Sequence, residues 1–394
     1  MKNLTIFGKE IIDENSIEQI RRCFGEKDIA VLTADAHYGY GHPIGGAVAY
    51  KDKISLSGVG FDIACGNKAV RTDIYAKEIN VSKVMNEIVR RISFGLDKPN
   101  PEPVGHKVLD KIAHAGFKPQ RKLLQKAKSQ LGTVGSGNHF IDLFEGEDGM
   151  LWIGVHFGSR NFGFKTTLGF IAMSQGNTFE DKGKEGSMDS PPILFDANSA
   201  IGQDYIQAMQ LAGEYAHAGR NIAVEKVLEI LGAKAIFEVH NHHNFAWYEK
   251  HFGEYYWVVR KGCTPAFPQQ LGFIGANMLD ASVIVEGVDS EMSRKGLYST
   301  VHGAGRVMSR RKALGKTKWM KGKHGNKRPV VVSKGVVDFE AVKAKMKSRR
   351  IELRGSAADE SPECYKKLDE VLKYQGDTIK VLHRLKPIGV AMAE

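Results

Sequence analysis

One histidine in the sequence stands among glycines and arginines in a way that suits chemistry on a phosphate. Residues 301–310 read VHGAGRVMSR, so His302 precedes two glycines and the side chains of Arg306 and Arg310. Glycine backbone turns tightly and presents bare N–H groups to an anion. Arginine binds phosphate bidentately, and an imidazole is a competent nucleophile. The stretch is a candidate nucleophile site, and a glycine-rich surface turn that happens to contain a histidine is the alternative.

Four further stretches place metal ligands beside glycines or at a strand end. They are GVGFDIACG at 58–66, GSGNHFID at 135–142, the strand end at His156, and HNHHN at 240–244. In the first, Asp62 and Cys65 are three residues apart and can face the same ion. Each histidine alone is more often structural, and a lone intracellular cysteine is usually inert. Four such places together favour a metal centre, with zinc suggested by the softness of the ligands and manganese or iron as alternatives.

The charge of the chain favours an anionic partner. Its 394 residues carry 56 Lys and Arg against 45 Asp and Glu, a formal charge of +11. Such a surface attracts nucleic acid, nucleotides or an anionic membrane. The sequence shows neither a signal-peptide core nor a membrane-length apolar run, and its four cysteines form no CxxC pair. These features predict a soluble cytoplasmic protein without disulfides and without a membrane partner.

The elements that would position these residues are strands with glycine-rich ends and a few helices. Short strand patterns alternate with glycines from 35 to 66, and another strand runs into His156. A long helix is predicted from about Asp204 to Leu231, with Gly232 as its stop. The basic helical face at 106–128 is either a solvated surface or an RNA contact. The basic segment at 310–328, with Trp319, is predicted to be a loop that either stacks on RNA or simply moves, and the tail at 387–394 to be extended.

Several motifs taken together resemble one known family, the RtcB RNA ligases. They are DAHYGYGHPIGG, GVGFDIACG, GTVGSGNHF, VHFGSR, HHN, RKG and HGAGRVMSR. The resemblance runs from about Ala34 to Val390, nearly the whole chain. It implies an α/β (α+β) fold with a central β-sheet region surrounded by helices, forming a single catalytic domain over residues 1–394. It also implies an RNA ligase that joins 3′-phosphate or 2′,3′-cyclic phosphate ends to 5′-hydroxyl ends in RNA repair or tRNA splicing.

The same resemblance implies the cofactors and the role of each site residue. The cofactors are two Mn²⁺ ions that share a thiolate, and GTP, whose guanylate is carried on His302. The implied metal ligands are Asp62, Cys65 and His139 for one ion, and Cys65, His156 and His243 for the other. The implied nucleotide contacts are Asn138, Phe140, Asp142, Asn244, Gly303, Ala304, Gly305 and Tyr365. The candidates for RNA phosphate are Arg160, Arg306 and Arg310, and an activating protein partner is a further candidate.

Three departures from the family pattern all fall on residues implied to bind the nucleotide. Residues 275–279 read GANML where the family typically has PGSMG. Met392 stands where a lysine that contacts guanine and ribose is typical, and Asp142 stands where a glutamate is usual. The metal ligands and His302 match the family. We therefore expect an intact metal site and nucleophile with altered nucleotide affinity or base choice.

Two other functions use the same residues. One is a metal-containing protein that binds RNA ends and no longer turns over. The other is an enzyme that caps RNA ends or opens a cyclic phosphate and stops before joining, with a changed nucleotide choice. An end-joining assay separates them, because only the ligase yields joined product.

Overall fold

The computed structural model describes residues 3–184, 186–321 and 327–394, with side chains described outside 317–331. The described residues form both strands and helices. The strands are β1 Leu4–Ile6, β2 Ile29–His37, β3 Ile44–Tyr50, β4 Lys53–Ser55, β5 Gly66–Tyr75, β6 Phe140–Gly146, β7 Met150–Phe157, β8 Leu194–Asp196, β9 Ala235–His242, β10 Asn244–His251, β11 Glu254–Lys261, β12 Cys263–Pro265, β13 Leu271–Ile274, β14 Ser282–Gly287, β15 Ser299–Val301, β16 Gly315–Lys321, β17 Lys327–Lys334, β18 Glu352–Arg354 and β19 Ile379–Met392. The helices are α1 Glu14–Arg21, α2 Leu56–Val59, α3 Val81–Arg91, α4 Lys107–Ala113, α5 Lys118–Arg121, α6 Leu124–Gln130, α7 Arg160–Ser174, α8 Ala200–Leu231, α9 Glu291–Lys295, α10 Arg310–Leu314, α11 Phe339–Ser348 and α12 Leu368–Gln375.

Two sheets carry most of the strands. One has five strands in the order β1-β2-β3-β11-β10. The other runs β13-β14-β19-β6-β7-β5-β9, with β18 paired to β19. Helices pack on the outside, so the expected α/β class with a central sheet region is confirmed. That residues 1–394 form a single catalytic domain stays a prediction.

The predicted extended tail is an interior strand of the larger sheet. β19 runs from Ile379 to Met392 and pairs with β14 on one side and β6 on the other. Val390, Ala391 and Met392 are buried there. Burial of these apolar side chains keeps the segment in the sheet and brings Met392 beside Phe140.

The long helix confirms its prediction and supports both the sheet and the metal-ligand region. α8 begins four residues earlier than expected because the Ser199 side chain caps it, accepting from the Gly202 N–H at 3.1 Å. Gly232 ends it in the left-handed region at φ 64°. Its apolar stripe, which includes Tyr205, Met209 and Ala212, is fully buried and packs in the largest apolar cluster.

The segment at 310–328 differs from its prediction as a loop. Residues 310–314 form α10, capped by the Ser309 side chain, and β16 pairs with β17 in an antiparallel hairpin. The strands are hard to predict from the sequence because the segment is rich in lysine, and charged residues are poor strand formers in isolation. Pairing between the two strands stabilises them instead. The Trp319 side chain, for which stacking on RNA was one of two alternatives, lies outside the described residues. No helix in the described ranges is long and apolar enough to cross a membrane.

Candidate active site

Neighbouring strands of the larger sheet bring the predicted metal ligands together. β5 lies between β7 and β9, and β6 lies on the other side of β7. Gly66 pairs with both Phe157 and His242, while Phe140 pairs with His156. Cys65, His139 and His243 each sit directly beside a paired residue, so the register of the sheet gathers ligands that are far apart in sequence.

The ligand atoms form two triads that share one thiol. Cys65, His156 and His243 make the first triad, and Asp62, Cys65 and His139 make the second, with the ligand atoms of each triad within 4.8 Å of one another. The Cys65 Sγ lies 3.2 Å from His156 Nε2 and 3.5 Å from His139 Nε2. His156 Nε2 is 3.3 Å from His243 Nε2, and His139 Nε2 is 2.9 Å from Asp62 Oδ2. The structure thus brings together all five predicted ligands.

The protonation of these groups fits a cation between them. His156 Nδ1 lies 3.0 Å from the Asn138 carbonyl, which only accepts, so the proton is on Nδ1 and the Nε2 lone pair faces the thiol. Burial and the neighbouring histidines hold the pKa values of His156 and His243 well below the ordinary range. Burial also raises the pKa of the Cys65 thiol. The unprotonated nitrogens of His156 and His243 converge on the Cys65 sulfur, and a divalent metal bound there would hold that sulfur as a thiolate.

Two glycines make room for this cluster. A Cβ on Gly158 would lie 2.0 Å from Asp62 Oδ1, and one on Gly135 would lie 2.1 Å from His139 Nδ1. Asp62 itself stays ionised: burial opposes its charge, but the His139 charge and hydrogen bond outweigh that effect and lower its pKa. The glycines flanking the ligands in the sequence therefore have a packing role.

His302 is held by a carboxylate that was not singled out from the sequence. Its Nδ1 lies 2.7 Å from Asp35 Oδ2, and the same oxygen accepts from the backbone N–H groups of His302 at 3.0 Å and Gly303 at 3.3 Å. Asp35 is fully buried. Burial opposes its charge, but His302 outweighs this and lowers the Asp35 pKa. Because the carboxylate accepts, Nδ1 carries the proton and Nε2 presents a lone pair.

The His302 ring stands between the metal-ligand cluster and a cavity of 270 Å³. Its ring centroid is 4.9 Å from that of His243. The cavity is lined by most of the residues implied to bind the nucleotide, namely Asn138, Phe140, Asp142, Gly303, Ala304, Gly305 and Tyr365. Asn244 lines a neighbouring groove instead, where its Oδ1 accepts from the Gly262 N–H at 2.7 Å. The Gly303 N–H donates to Asp35, so it is not free to bind a phosphate oxygen.

The departures from the family pattern gather at one end of this cavity. Gly275, Met278 and Met392 line it together with Asp142. Asp142 is buried, and its Oδ1 has no hydrogen-bond partner among the described residues. Burial raises the pKa of the Asp142 carboxyl well above the ordinary range. The Asn277 side chain turns back into its own loop, accepting from the Leu279 N–H at 3.0 Å and donating to Asp280 at 2.8 Å. This end of the cavity therefore offers a neutral carboxyl among apolar side chains.

The three arginines predicted to bind RNA phosphate form hydrogen bonds or ion pairs within the protein. Arg160 donates to Thr133 Oγ1 at 3.1 Å and to the Gly95 carbonyl at 2.9 Å. Arg306 and Arg310 line the cavity, where Arg306 donates to the Tyr365 hydroxyl at 2.9 Å and Arg310 pairs with Asp359 and Glu360. Their roles toward RNA stay predictions. Asp359 and Glu360, which were not identified from the sequence, neutralise part of this charge.

A buried arginine behind the metal-ligand cluster was also missed. Arg220 on α8 is fully buried, and its Nη1 donates to the carbonyls of Ala64 at 2.9 Å and Phe157 at 2.6 Å. Its other nitrogens donate to His240 and His242, each at 2.8 Å. The carbonyls of Ala64 and Phe157 belong to residues that directly neighbour Cys65 and His156 in the sequence. Arg220 therefore fixes the backbone from which both of these ligands project, and Ala64 needs that support because its φ is 57°.

We expect Arg220→Met to lower the free energy of unfolding by about 3 kcal/mol and to weaken metal retention, because two buried carbonyls lose their donor. Urea unfolding in a chelator measures the first effect, and metal content after dialysis measures the second. Arg90→Met is the control, since Arg90 is exposed and its ion pair among the described residues is with the neighbouring Glu87. An unfolding midpoint and metal content equal to those of the control would contradict this role.

Comparison with known proteins finds members of one family that match nearly the whole chain. The model of the family described as "tRNA-splicing ligase RtcB" matches residues 17–122 and 113–393. The RNA-splicing ligase RtcB of Escherichia coli (strain K12) is 31% identical over 393 residues, covering 92% of this chain and 89% of the relative. The tRNA-splicing ligase RtcB of Archaeoglobus fulgidus is 27% identical over 469 residues, with 97% and 92% coverage. The RNA-splicing ligase RtcB homolog 1 of Entamoeba dispar is 29% identical over 441 residues, with 90% and 77% coverage.

Proposed function

The chain belongs to the RtcB family, and we propose that it is a GTP- and Mn²⁺-dependent RNA ligase. It joins RNA 3′-phosphate or 2′,3′-cyclic phosphate ends to 5′-hydroxyl ends through a guanylylated His302, in RNA repair or tRNA splicing. The observation that carries the proposal is the placement of His302, whose Nδ1 lies 2.7 Å from Asp35 Oδ2 and whose ring adjoins the shared-thiol cluster. A cytoplasmic location and an activating protein partner are part of the same proposal.

The proposed reaction has three phosphoryl-transfer steps. The His302 Nε2 attacks the α-phosphorus of GTP, the bond to the β-phosphate oxygen breaks, and pyrophosphate leaves. An oxygen of the RNA 3′-phosphate then attacks the phosphorus on His302, and the P–N bond breaks to return the imidazole. In the last step the 5′-hydroxyl oxygen attacks the RNA phosphorus, loses its proton, and expels GMP. A 2′,3′-cyclic phosphate is first opened by water to the 3′-phosphate.

The residues of this chain supply orientation and charge for these steps. Asp35 holds the Nδ1 proton of His302, which stabilises the positive ring when Nε2 becomes bonded to phosphorus. Asp62, Cys65, His139, His156 and His243 are the residues that would hold the two Mn²⁺ ions. When bound, the ions neutralise charge on the attacking and leaving oxygens. The site walls, including Phe140 and Tyr365, limit water at the phosphoramidate.

We propose that the nucleotide lies in the 270 Å³ cavity with its base toward Asp142 and Met392. A neutral carboxyl has one donor and one acceptor, whereas a carboxylate has acceptors alone. The N1–H and N2–H₂ edge of guanine presents two donors and suits the carboxylate, while the adenine edge suits the neutral acid. With a methionine in place of the usual lysine, selection for guanine is weakened.

We predict that Met392→Lys increases covalent labelling by GTP about tenfold at subsaturating nucleotide, because an ammonium donates to the guanine O6. Labelling of the protein with α-³²P NTPs, one nucleotide at a time, measures this change and the base choice of the unchanged chain. Met292→Lys is the matched control, since Met292 is exposed on α9, away from the cavity lining. Labelling by GTP alone at ordinary affinity in the unchanged chain would refute an altered pocket.

The end-joining assay tests the ligase itself. RNA with a 2′,3′-cyclic phosphate and a labelled RNA with a 5′-hydroxyl are incubated with the protein, Mn²⁺ and each NTP. Joined product supports the ligase. Capped or opened ends without joining would assign the chain to an RNA-end-modifying enzyme, and binding without any product would make it an RNA-end sensor.

A further inference from the structure

A large groove adjoins the His302 cavity, and most of its lining has no assigned role in the nucleotide chemistry. Its volume is 940 Å³, and it shares His37, Ile44, Arg306 and Arg310 with the cavity lining. At its inner end it reaches the predicted metal ligand Asp62. Anything bound in the groove therefore comes close both to His302 and to the second metal triad.

The walls of the groove combine aromatic rings with cations. Tyr40 is 51% exposed, and Phe61, directly before Asp62, is partly exposed and lies 5.4 Å from the ring of Phe164. The cations of the lining are Lys261, Arg306, Arg310, Arg311 and Lys366, against the carboxylates Asp13 and Asp62. Arg311 is exposed and takes part in no ion pair in the described part of the chain, whereas Lys366 is buried and its Nζ donates to the carbonyls of Ala34 at 2.9 Å and Ala36 at 3.2 Å. Aromatic rings along a cationic groove suit single-stranded nucleic acid, whose bases stack while its phosphates are neutralised.

The chemistry of the proposed function selects which RNA end belongs here. The nucleotidyl group passes from His302 to the 3′-phosphate, so the last nucleotide of that strand must lie directly against the nucleotide cavity. The groove is continuous with the cavity along four shared residues. The strand that carries the 5′-hydroxyl takes part only in the last step, in which it presents one oxygen. The continuity thus favours the strand that carries the phosphate.

We propose that this groove binds the RNA strand that ends in the 3′-phosphate, with its terminal bases stacked on Phe61 and Tyr40. The exposed Arg311 neutralises a backbone phosphate of this strand. The inference rests on the proposed ligase function. It assigns Phe61 and Tyr40 as RNA-binding residues that act on the 3′-phosphate end and leave nucleotide transfer to His302 untouched.

The test measures the binding of two fluorescent ten-nucleotide RNAs, one with a 3′-phosphate and one with a 5′-hydroxyl and 3′-hydroxyl. The full-length Mn²⁺-loaded protein carries His302→Ala, so that no covalent transfer occurs. We expect Phe61→Ala in this background to weaken binding of the 3′-phosphate RNA about tenfold, and Tyr40→Ala to act in the same direction. Binding of the 5′-hydroxyl RNA is expected to stay within about twofold.

Tyr248→Ala is the matched control, because Tyr248 is 59% exposed on β10 and does not line the groove. Phe61→Trp keeps a stacking ring and should retain binding, which separates stacking from a folding defect. Equal loss for both RNAs, a larger loss for the 5′-hydroxyl RNA, or no loss with Phe61→Ala would overturn the assignment.

A separate measurement distinguishes this proposal from the ligase proposal on which it rests. With His302 intact, Phe61→Ala should keep its metal content and its covalent nucleotide labelling while joining falls through a higher KM for the 3′-phosphate RNA. If the unchanged chain is neither labelled by any NTP nor joins RNA, the ligase proposal fails, whatever the binding data show. Loss of labelling in Phe61→Ala alone would instead refute the separation of groove and nucleotide site.

Discussion

Replacement of His302 by alanine is expected to abolish covalent nucleotide labelling and RNA joining while leaving the metal content unchanged. The imidazole is the proposed nucleophile, and it adjoins the ligand cluster without belonging to either triad. Labelling by α-³²P NTPs and metal analysis of the same preparation measure both effects. His114→Ala, an exposed histidine at the end of α4, serves as the control and should label normally.

Asp35→Asn gives a sharper version of the same test. The amide of asparagine can donate to Nδ1, which allows the proton to move to Nε2 and removes the attacking lone pair. We expect labelling to fall by at least about a hundredfold, as in other sites where a carboxylate orients a histidine. Retained labelling in His302→Ala would remove His302 from its role, and normal labelling in Asp35→Asn would show that Asp35 does not set the tautomer.

Replacement of Cys65 by serine is expected to disrupt both metal positions at once. Both triads use its sulfur, so the change removes one ligand from each ion, and a hydroxyl is a poor substitute for a thiolate. We expect fewer than about one ion per chain after dialysis, together with loss of the sulfur-to-metal absorption seen on Co²⁺ substitution. Nucleotide labelling should fall with the metal.

Cys23→Ser is the control, because Cys23 is also buried, donates to the Gln19 carbonyl, and belongs to neither triad of the described residues. It should keep both its metal content and its Co²⁺ spectrum. Two ions retained in Cys65→Ser would show that the shared thiol is not a ligand, and loss of a single ion would assign Cys65 to one triad only.

The sequence by itself was enough to predict the kinds of ligand and a candidate nucleophile. Metal-ligand types beside glycines or strand ends are local features, and so are His302 with its glycines and the cap and stop of the long helix. The family motifs then related these features to a reaction. Helix α8 follows from local periodicity and the α/β class from the family resemblance, and the structure confirms both.

The tertiary structure alone decided which residues support this chemistry. Asp35 lies 267 positions from His302 in sequence, and Arg220 reaches the carbonyl of Ala64 across 156 positions. Neither pairing leaves a periodic signal, because it depends on sheet register and on burial rather than on neighbours in the chain. The same is true of the tail, which becomes an interior strand, and of the basic segment that begins at 310, whose described residues form helix α10 and the paired strands β16 and β17. Long-range packing fixes these partners, and a buried charge is stable only once its distant partner is in place.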